Sequence, residues 1–165
     1  NIPDTPPDLL NLFIGISKHR SAYKGTDIML RAAETVKEHY PNKLNLKLVT
    51  GLPFDEYVRT MLGSDAIMDQ LYSYTPSMNP LEAMAHGIIC IGGGEPENYA
   101  ILNETVLHPI INVLPTYESC VEELTKLVNN LSLVPSLRRQ SYEYVRKHHD
   151  FIKVAQAYSE LYRGL

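Results

Sequence analysis

The sequence predicts a three-layer α/β domain, in which a parallel β-sheet lies between two layers of helices and a helical tail follows. Apolar runs of strand length alternate with segments of helical spacing from Leu10 to about Leu114. Strands separated by helices imply parallel strands that are joined by right-handed crossovers. The remaining residues show only helical spacing, in two apolar stripes over 121–131 and 151–165.

The predicted strands and helices follow one another in a regular order. Short apolar runs indicate five strands, over Leu10–Ile16, Leu44–Thr50, Ala66–Tyr72, Ile88–Ile91 and Ile110–Leu114. Helical spacing, capping residues and prolines indicate helices over Thr26–His39, Pro53–Leu62, Pro80–His86 and Pro96–Leu102. In such sheets ligands bind beyond the carboxyl ends of the strands. A site is therefore expected among four loops, at 17–25, 50–53, 73–79 and 92–97.

Length and composition exclude several classes of protein. The 165 residues, 44% hydrophobic and 21% charged, suit one domain with one core. A net charge of −4 argues against nucleic acid as a partner. No apolar run approaches the roughly 20 residues of a membrane span, and the first residues lack a signal-peptide pattern. We expect a cytoplasmic protein, with a Pro-rich linker over residues 1–8 and the domain over residues 9–165.

The two cysteines are predicted to be core residues. Cys90 lies in an apolar run and Cys120 in a helical pattern, and free cysteines are often buried in proteins of a reducing compartment. No Cys/His cluster has the spacing of a zinc site, so no metal is expected.

The loop after the first predicted strand carries three cations, Lys18, Arg20 and Lys24, directly before a helix. A helix N-terminus favours anions through its free N–H groups and its dipole. Cations at this position gain nothing from the helix dipole, so a bound anion would explain them. A solvated, charged loop is the alternative interpretation.

Two further loops have the residues of a phosphate or sugar site. Small and polar residues at 73–79 precede a short helix, and Glu82 is expected in or near the first turn of that helix. A carboxylate there would be favoured either by the helix dipole or by hydrogen bonds from a sugar diol. The triplet Gly92–Gly94 would allow close approach to a ligand or a tight turn. Neither G-x-G-x-x-G nor G-x-x-x-x-G-K-[ST] occurs, which argues against NAD and ATP.

The residues Ser77–Gly94, SMNPLEAMAHGIICIGGG, with Glu95-Pro96-Glu97 after them, resemble the signature of retaining glycosyltransferase family 4, of group 1. The most specific part is Leu81-Glu82-Ala83-Met84-Ala85-x-Gly87. Ile14-Gly15 and Lys24-Gly25 resemble the first strand and the Lys-Gly of the same family, and the agreement in order covers about residues 9–131. The resemblance implies the C-terminal, Rossmann-like half of a GT-B fold.

The resemblance also implies roles for individual residues. Lys24 and Arg20 would neutralise the diphosphate of a nucleotide sugar and, with Glu82, serve catalysis. Backbone amides at Ser77, Met78 and Asn79 would bind a phosphate, and Glu82 would contact the ribose. The donor sugar would lie beside Gly93, Gly94 and Glu95. The edge of the nucleobase would be bound at Gly51 and Leu52. The implied partners are a nucleotide sugar, a glycan or lipid-linked acceptor of surface polysaccharide synthesis, and an N-terminal domain of the same polypeptide. No cofactor beyond the donor is implied, and the full-length enzyme could associate peripherally with the membrane.

The sequence departs from the family pattern at two points. The first glutamate of the motif should lie eight residues before Glu82, where Tyr74 stands. The usual Gly-Arg after the first strand reads Gly15-Ile16, which leaves open whether Arg20 or Lys18 is the second phosphate ligand. The base, sugar, acceptor and stereochemical outcome also stay open.

Two other functions are alternatives to glycosyl transfer. A nucleotide-sugar epimerase of GT-B architecture would use the same cleft. A non-enzymatic module of flavodoxin or response-regulator shape would need an acidic cluster for Mg²⁺ at the strand ends, where this sequence has Lys, Gly and Ser.

Overall fold

The computed structural model describes residues 2–16 and 21–164 and has the predicted three-layer α/β architecture. Its parallel sheet has the order β2-β1-β3-β4, with β1 (Leu10–Ile16), β2 (Leu44–Thr50), β3 (Ala66–Met68) and β4 (Ile89–Ile91). The helices of the first part are α1 (Ser21–Lys24), α2 (Thr26–His39), α3 (Phe54–Leu62), α4 (Met78–Ala85) and α5 (Pro96–Ile101). The tail consists of α6 (Tyr117–Asn129), α7 (Val134–His148) and α8 (Phe151–Arg163).

Alternating side chains of β1 divide the core between the two faces of the sheet. Leu12 and Ile14 are fully buried in a cluster with α2 and α6, whereas Phe13 is buried on the opposite face with α3 and α4. This alternation follows from the period of two along a strand. Cys120 lies in the first cluster and Cys90 in a third one around α7, so both cysteines are buried and free, as expected.

The third strand is shorter than the predicted Ala66–Tyr72, because β3 ends at Met68. At Asp69 the chain leaves the sheet, since the carboxylate is bound by side chains from two other segments. Two residues later the amide of Leu71 donates to the carbonyl oxygen of Lys24, at 2.9 Å, instead of to a neighbouring strand.

The predicted fifth strand, Ile110–Leu114, is reduced to a single parallel bridge between Ile91 and Ile111. The reason lies at the start of α6. The amide of Leu114 donates to Ser119 Oγ at 2.9 Å, and its carbonyl oxygen accepts from Thr116 at 2.7 Å. These local bonds of the capped helix start replace the bonds that a strand would make.

Helix α4 begins at Met78, two residues before the predicted start at Pro80. A proline is tolerated in the first helical turn, because its missing N–H would have no partner within the helix. Glu82 is consequently the fifth residue of α4 and lies beyond the first turn, which contains no acidic residue. The helix dipole is therefore a weaker explanation for Glu82 than the sequence indicated.

A buried carboxylate joins α7 to the loop after α5. Glu104 is 3% exposed and accepts from the amides of Val106 and Leu107, at 2.8 and 3.0 Å. His148 Nε2 and Lys147 Nζ lie 2.5 and 2.6 Å from its other oxygen. The bond to His148, then that to Lys147, then the two amides hold the pKa of Glu104 well below its usual range.

The last helix has an exposed apolar side. Four large apolar or aromatic side chains of α8 are between 58% and 79% exposed, namely Phe151, Tyr158, Leu161 and Tyr162. The helix start is capped by Asp150, whose carboxylate accepts from the amides of Ile152 and Lys153, both at 3.1 Å. This exposure agrees with the long apolar stripe that the sequence shows at 151–165. Within the described part of the chain, no helix combines the length and the apolar character that a bilayer crossing requires.

Candidate functional site

An ion pair stands at the carboxyl ends of the strands. Lys24 Nζ donates to both carboxylate oxygens of Asp69, at 2.8 and 2.9 Å. The side chain of Asp69 is 3% exposed and that of Lys24 is 17% exposed. An ammonium has three N–H donors, so bonding to both oxygens of Asp69 leaves at least one N–H for a ligand.

Asp69 also connects Lys24 to the start of α4. Ser77 Oγ donates to Asp69 Oδ2 at 2.7 Å. Because this hydroxyl is directed at Asp69, Ser77 stands at the N-cap position without capping the helix by its side chain. The amides of Met78 and Asn79 in the first turn therefore keep their capacity to bind an anion.

Tyr57 of α3 closes the other side of this site. Its hydroxyl accepts from Asn79 Nδ2 at 3.1 Å. Burial, with a smaller contribution from the charge of Asp69, raises the pKa of Tyr57 to about 12, so the phenol is neutral at physiological pH. A Cβ on Gly15 would lie 2.7 Å from the hydroxyl oxygen of Tyr57, which explains why β1 has a glycine there.

Several predicted residues share one small cavity of about 120 Å³ at the strand ends. The ammonium group of Lys24, the first turn of α4 and the loop after β2 all contribute to its lining. The lining includes Lys24, Gly51, Leu52, Tyr57, Asp69 and Asn79. Gly51 has a φ of 65°, and a Cβ there would meet no atom within 4 Å. The structure thus brings two of the predicted phosphate ligands, Lys24 and Asn79, to the same cavity as Gly51 and Leu52, whereas Ser77 and Met78 are not among its lining residues.

Glu82 and Met78 open onto a different and larger cavity. This cavity, of about 590 Å³, lies between α4, α7 and the start of α8. The side chain of Glu82 is 57% exposed, and its Oε1 is 3.5 Å from His86 Nε2 one turn later. Met78 is 79% exposed. Among the described residues, Glu82 therefore lies beside the Lys24 cavity, across the first turn of α4, and not within it.

The glycine triplet is buried and packed against neighbouring backbone. A Cβ on Gly93, which has a φ of 75°, would lie 2.9 Å from the carbonyl carbon of Thr75. A Cβ on Gly94 would lie 2.9 Å from the side chain of Ile110. Internal packing thus accounts for both glycines. Glu95, at the N-cap of α5, is half-buried and makes no capping hydrogen bond with its side chain.

Two sequence positions bear on the departures from the family pattern. Tyr74, which stands where the first glutamate is expected, is 67% exposed. Arg20 and Lys18, the two candidates for a second phosphate ligand, lie outside the described residues.

Two residues of this site, Asp69 and Tyr57, were not predicted from the sequence. A charged residue inside the predicted apolar strand 66–72 was the available signal for Asp69, because a buried carboxylate requires partners. Among the described residues that line this cavity, Asp69 is the one acid. Its oxygens bind Lys24 and Ser77, an arrangement that does not favour the acidic Mg²⁺ site of a response-regulator-like module.

Comparison with known proteins gives matches of structure alone. No protein-family model matches the chain, and no curated protein matches it. The C-terminal domain of the glycosyl transferase group 1 family protein LpcC, from Francisella tularensis, superposes with a TM-score of 0.66 at 16% identity, over 88% of this chain and 89% of that one.

Two longer proteins superpose on the same region. TarM from S. aureus, solved as a variant in complex with fondaparinux, α-GlcNAc-glycerol and UDP, has a TM-score of 0.69 at 11% identity, over 98% of this chain and 37% of TarM. WaaG, a glycosyltransferase involved in lipopolysaccharide biosynthesis, has a TM-score of 0.57 at 18% identity, over 85% of this chain and 44% of WaaG. The chain thus spans less than half of the length of either protein. It has the fold of the C-terminal domain of GT-B glycosyltransferases of group 1.

Proposed function

We propose that this chain is the donor-binding domain of a glycosyltransferase that transfers a sugar from a nucleoside-diphosphate sugar to a glycan or lipid-linked acceptor, in surface polysaccharide synthesis. The observation that carries the proposal is the position of Lys24. Its ammonium is held at the strand carboxyl ends, and Asp69 and Ser77 connect it to the first turn of α4. The fold and the family resemblance of the sequence point to the same chemistry.

The proposed role of Lys24 is electrostatic. Negative charge develops on the diphosphate as the bond to the sugar breaks, and fixed donors that face this charge stabilise the transition state. Lys24 would supply one N–H, and the amides of Met78 and Asn79 would supply two more. Arg20 stays a proposed second cation that rests on the resemblance alone. No step of this mechanism requires a metal ion.

The nucleoside would lie across the first turn of α4. Gly51 and Leu52 line the cavity that contains Lys24, which suits a nucleobase held against backbone groups. Glu82 opens onto the neighbouring cavity and would accept hydrogen bonds from the ribose diol. For Gly93 and Gly94 a role toward the donor sugar rests on the resemblance alone, since internal packing already requires them.

Calorimetry with a nucleotide panel tests the proposal. UDP is the first ligand to test, since it is the nucleotide in the TarM complex, and GDP, ADP and CMP complete the panel. Each diphosphate is measured beside its own monophosphate. We expect one diphosphate to bind more tightly than its monophosphate. Lys24→Met should weaken diphosphate binding by about 1.5–3 kcal/mol, the scale of a hydrogen bond to a charged group. Lys37→Met, on an exposed lysine in the last turn of α2, is the matched control.

A second variant separates binding from stability. Lys24→Met leaves the buried carboxylate of Asp69 without its cation, and the protein then loses stability. The double variant Lys24→Met/Asp69→Asn removes both charges and should fold, yet bind diphosphate weakly. Equal affinity for mono- and diphosphates, unchanged in both variants, would refute the phosphate assignment.

The acceptor and the transfer step are proposed to need a second domain. In GT-B enzymes the substrates meet in a cleft between two Rossmann-like domains, and this chain has the fold of one of them. We expect these residues to bind donor nucleotide and to transfer no sugar in a radiochemical assay. Sustained sugar transfer by this chain alone would contradict the proposal that transfer requires a second domain.

A further inference from the structure

Helix α8 is not covered by the rest of the described chain. None of its 13 residues, all of which the structure describes, is buried. By contrast, each helix from α2 to α7 buries at least one side chain. An isolated helix shorter than about 12–15 residues is marginal in water, because packing of an apolar face supplies most of the stability of a helix. A covering surface is therefore expected from outside the described residues.

The apolar residues of α8 lie in one narrow stripe. Phe151, Val154, Tyr158 and Leu161 follow one another at spacings of three, four and three residues. They are between 38% and 79% exposed. This spacing is the a and d pattern of a helix that packs along a second helix. The helix carries two cations and one acid, too few cations for the polar face of a helix that lies on an anionic membrane.

A groove for a second helix lies at the base of α8. The cavity of about 590 Å³ between α4, α7 and the start of α8 has Phe151 and Val154 in its wall. Its other apolar lining residues come from α4 and α7, namely Leu81, Ala85, Tyr142 and Val145, and its polar ones include Glu82 and Arg146. The first half of the α8 stripe thus faces an open apolar groove, and the second half continues the same line with no cover among the described residues.

We propose that two copies of this chain associate through α8 as an antiparallel pair, in which the second half of each helix lies in the cavity at the base of the other. With the two-fold axis at the level of Gln156, Phe151 of each copy would face Leu161 of the other, and Val154 would face Tyr158. Such self-complementary contacts are those of a symmetric dimer. This inference goes beyond the proposed function and does not depend on it. Because Glu82 lines the same cavity, association is measured without nucleotide.

The charges of α8 favour the antiparallel orientation. Lys153 and Glu160 lie seven residues apart and hence on the same side of the stripe. In the antiparallel pair each Lys153 is level with Glu160 of the other copy, whereas a parallel pair in register would bring like charges together. The helix dipoles also oppose each other in the antiparallel pair. Only this orientation places the second half of one helix at the base of the other.

The exposed surface suffices for a weak dimer. Aromatic side chains bury roughly 150–250 Å² each, so Phe151, Tyr158 and Tyr162, which are 58% to 79% exposed, offer on the order of 400 Å² per copy. With Leu161, Val154 and the cavity walls, the pair would bury about 1,200 Å², the lower end of the range for specific interfaces. We therefore expect a dissociation constant of about 1–100 µM.

Sedimentation velocity of the chain between about 1 and 200 µM, the range that such a dimer spans, tests this proposal. We expect a concentration-dependent shift from monomer to dimer. Leu161→Gln should weaken association at least about tenfold, because the lost apolar contact counts twice in a symmetric pair. Ile152→Gln is the matched control, since Ile152 is 53% exposed against 59% for Leu161 and lies on the same helix outside the stripe. It should leave association unchanged.

Two further variants test the cavity and the orientation. Tyr142→Gln, in the cavity wall on α7, should also weaken association several-fold. Lys153→Glu should weaken it about two- to fivefold, and Lys153→Glu/Glu160→Lys should restore it. Urea unfolding should give the same free energy of unfolding for every α8 variant, because the substituted side chains are exposed, and so separates lost association from lost folding.

Several results would overturn the proposal. One is a monomer at every concentration, including a monomer that instead binds vesicles of phosphatidylglycerol. Another is association that ignores Leu161→Gln or that Ile152→Gln weakens equally. Association that ignores Tyr142→Gln would exclude the cavity, and association that ignores Lys153→Glu would exclude the antiparallel orientation.

Discussion

Replacing Lys24 by Met and Asp69 by Asn, singly and together, measures how strongly the ion pair at the strand ends stabilises the fold. Met keeps most of the aliphatic length of the lysine, which packs beneath its ammonium group. Asn keeps the shape of the aspartate and one acceptor oxygen, which can still bind Ser77. The double-mutant cycle isolates the coupling between the two side chains.

The burial of the pair sets the expected magnitude. Exposed ion pairs contribute about 0.2–1 kcal/mol, whereas removing one partner of a fully buried pair costs about 3–5 kcal/mol. Asp69 is 3% exposed and Lys24 is 17% exposed, so this pair lies near the buried limit with some access to water. We therefore expect Lys24→Met to cost about 2–4 kcal/mol. The coupling energy should be about 1.5–3 kcal/mol, as for hydrogen bonds to charged groups.

Urea unfolding followed by circular dichroism gives the free energy of unfolding of all four proteins. Lys126 and Glu122 form the matched control, with the same 2.8 Å separation but 57% and 66% exposure. Their coupling should be much smaller, because water screens an exposed pair on a helix surface. A coupling between Lys24 and Asp69 no larger than this control would refute the argument from burial.

Three further predictions concern other parts of the chain. Glu104→Gln should lower the free energy of unfolding at neutral pH, because folding lowers the pKa of this carboxyl. The difference between Glu104→Gln and the unchanged protein in urea unfolding should shrink below about pH 4.3, the ordinary pKa of a glutamate, and vanish as pH falls through the folded pKa. A difference that stays constant down to about pH 3 contradicts this. Glu82→Gln should weaken binding of ribonucleotides more than of 2′-deoxyribonucleotides in calorimetry, and equal losses would indicate a structural role. Gly93→Ala, which places a Cβ against Thr75, should cost at least about 1 kcal/mol more than Gly51→Ala, which meets only open space; equal costs in urea unfolding would argue against the packing account.

Elements whose boundaries are set locally could be predicted from the sequence. The strands at 10–16 and 44–50 and the helix at 26–39 have the bounds that their apolar patterns indicated. Turn residues flank each of them, so neighbouring residues determine where they end. The signature around Glu82 likewise led to the fold that the structural comparisons show.

Elements whose boundaries depend on distant contacts could not be predicted in this way. The strand at 66–72 is cut short at Asp69 because its carboxylate binds Lys24, 45 residues earlier. No local pattern contains that pairing. The position of Glu82 relative to the first turn depends on whether α4 begins at Met78 or at Pro80, and the sequence offers a plausible start at either residue.

The bond between Lys24 and Asp69 affects the entropy of ligand binding as well as its electrostatics. A free lysine side chain has about 2 kcal/mol of rotamer entropy to lose when a ligand immobilises it. In this fold Asp69 already restricts Lys24, and the amide of Leu71 already restrains the backbone behind it. The Lys24 side chain is therefore ordered when the protein folds, and an arriving ligand meets a donor that is already oriented. Less of the free energy of each contact is then lost to ordering the side chain, so more of it contributes to affinity.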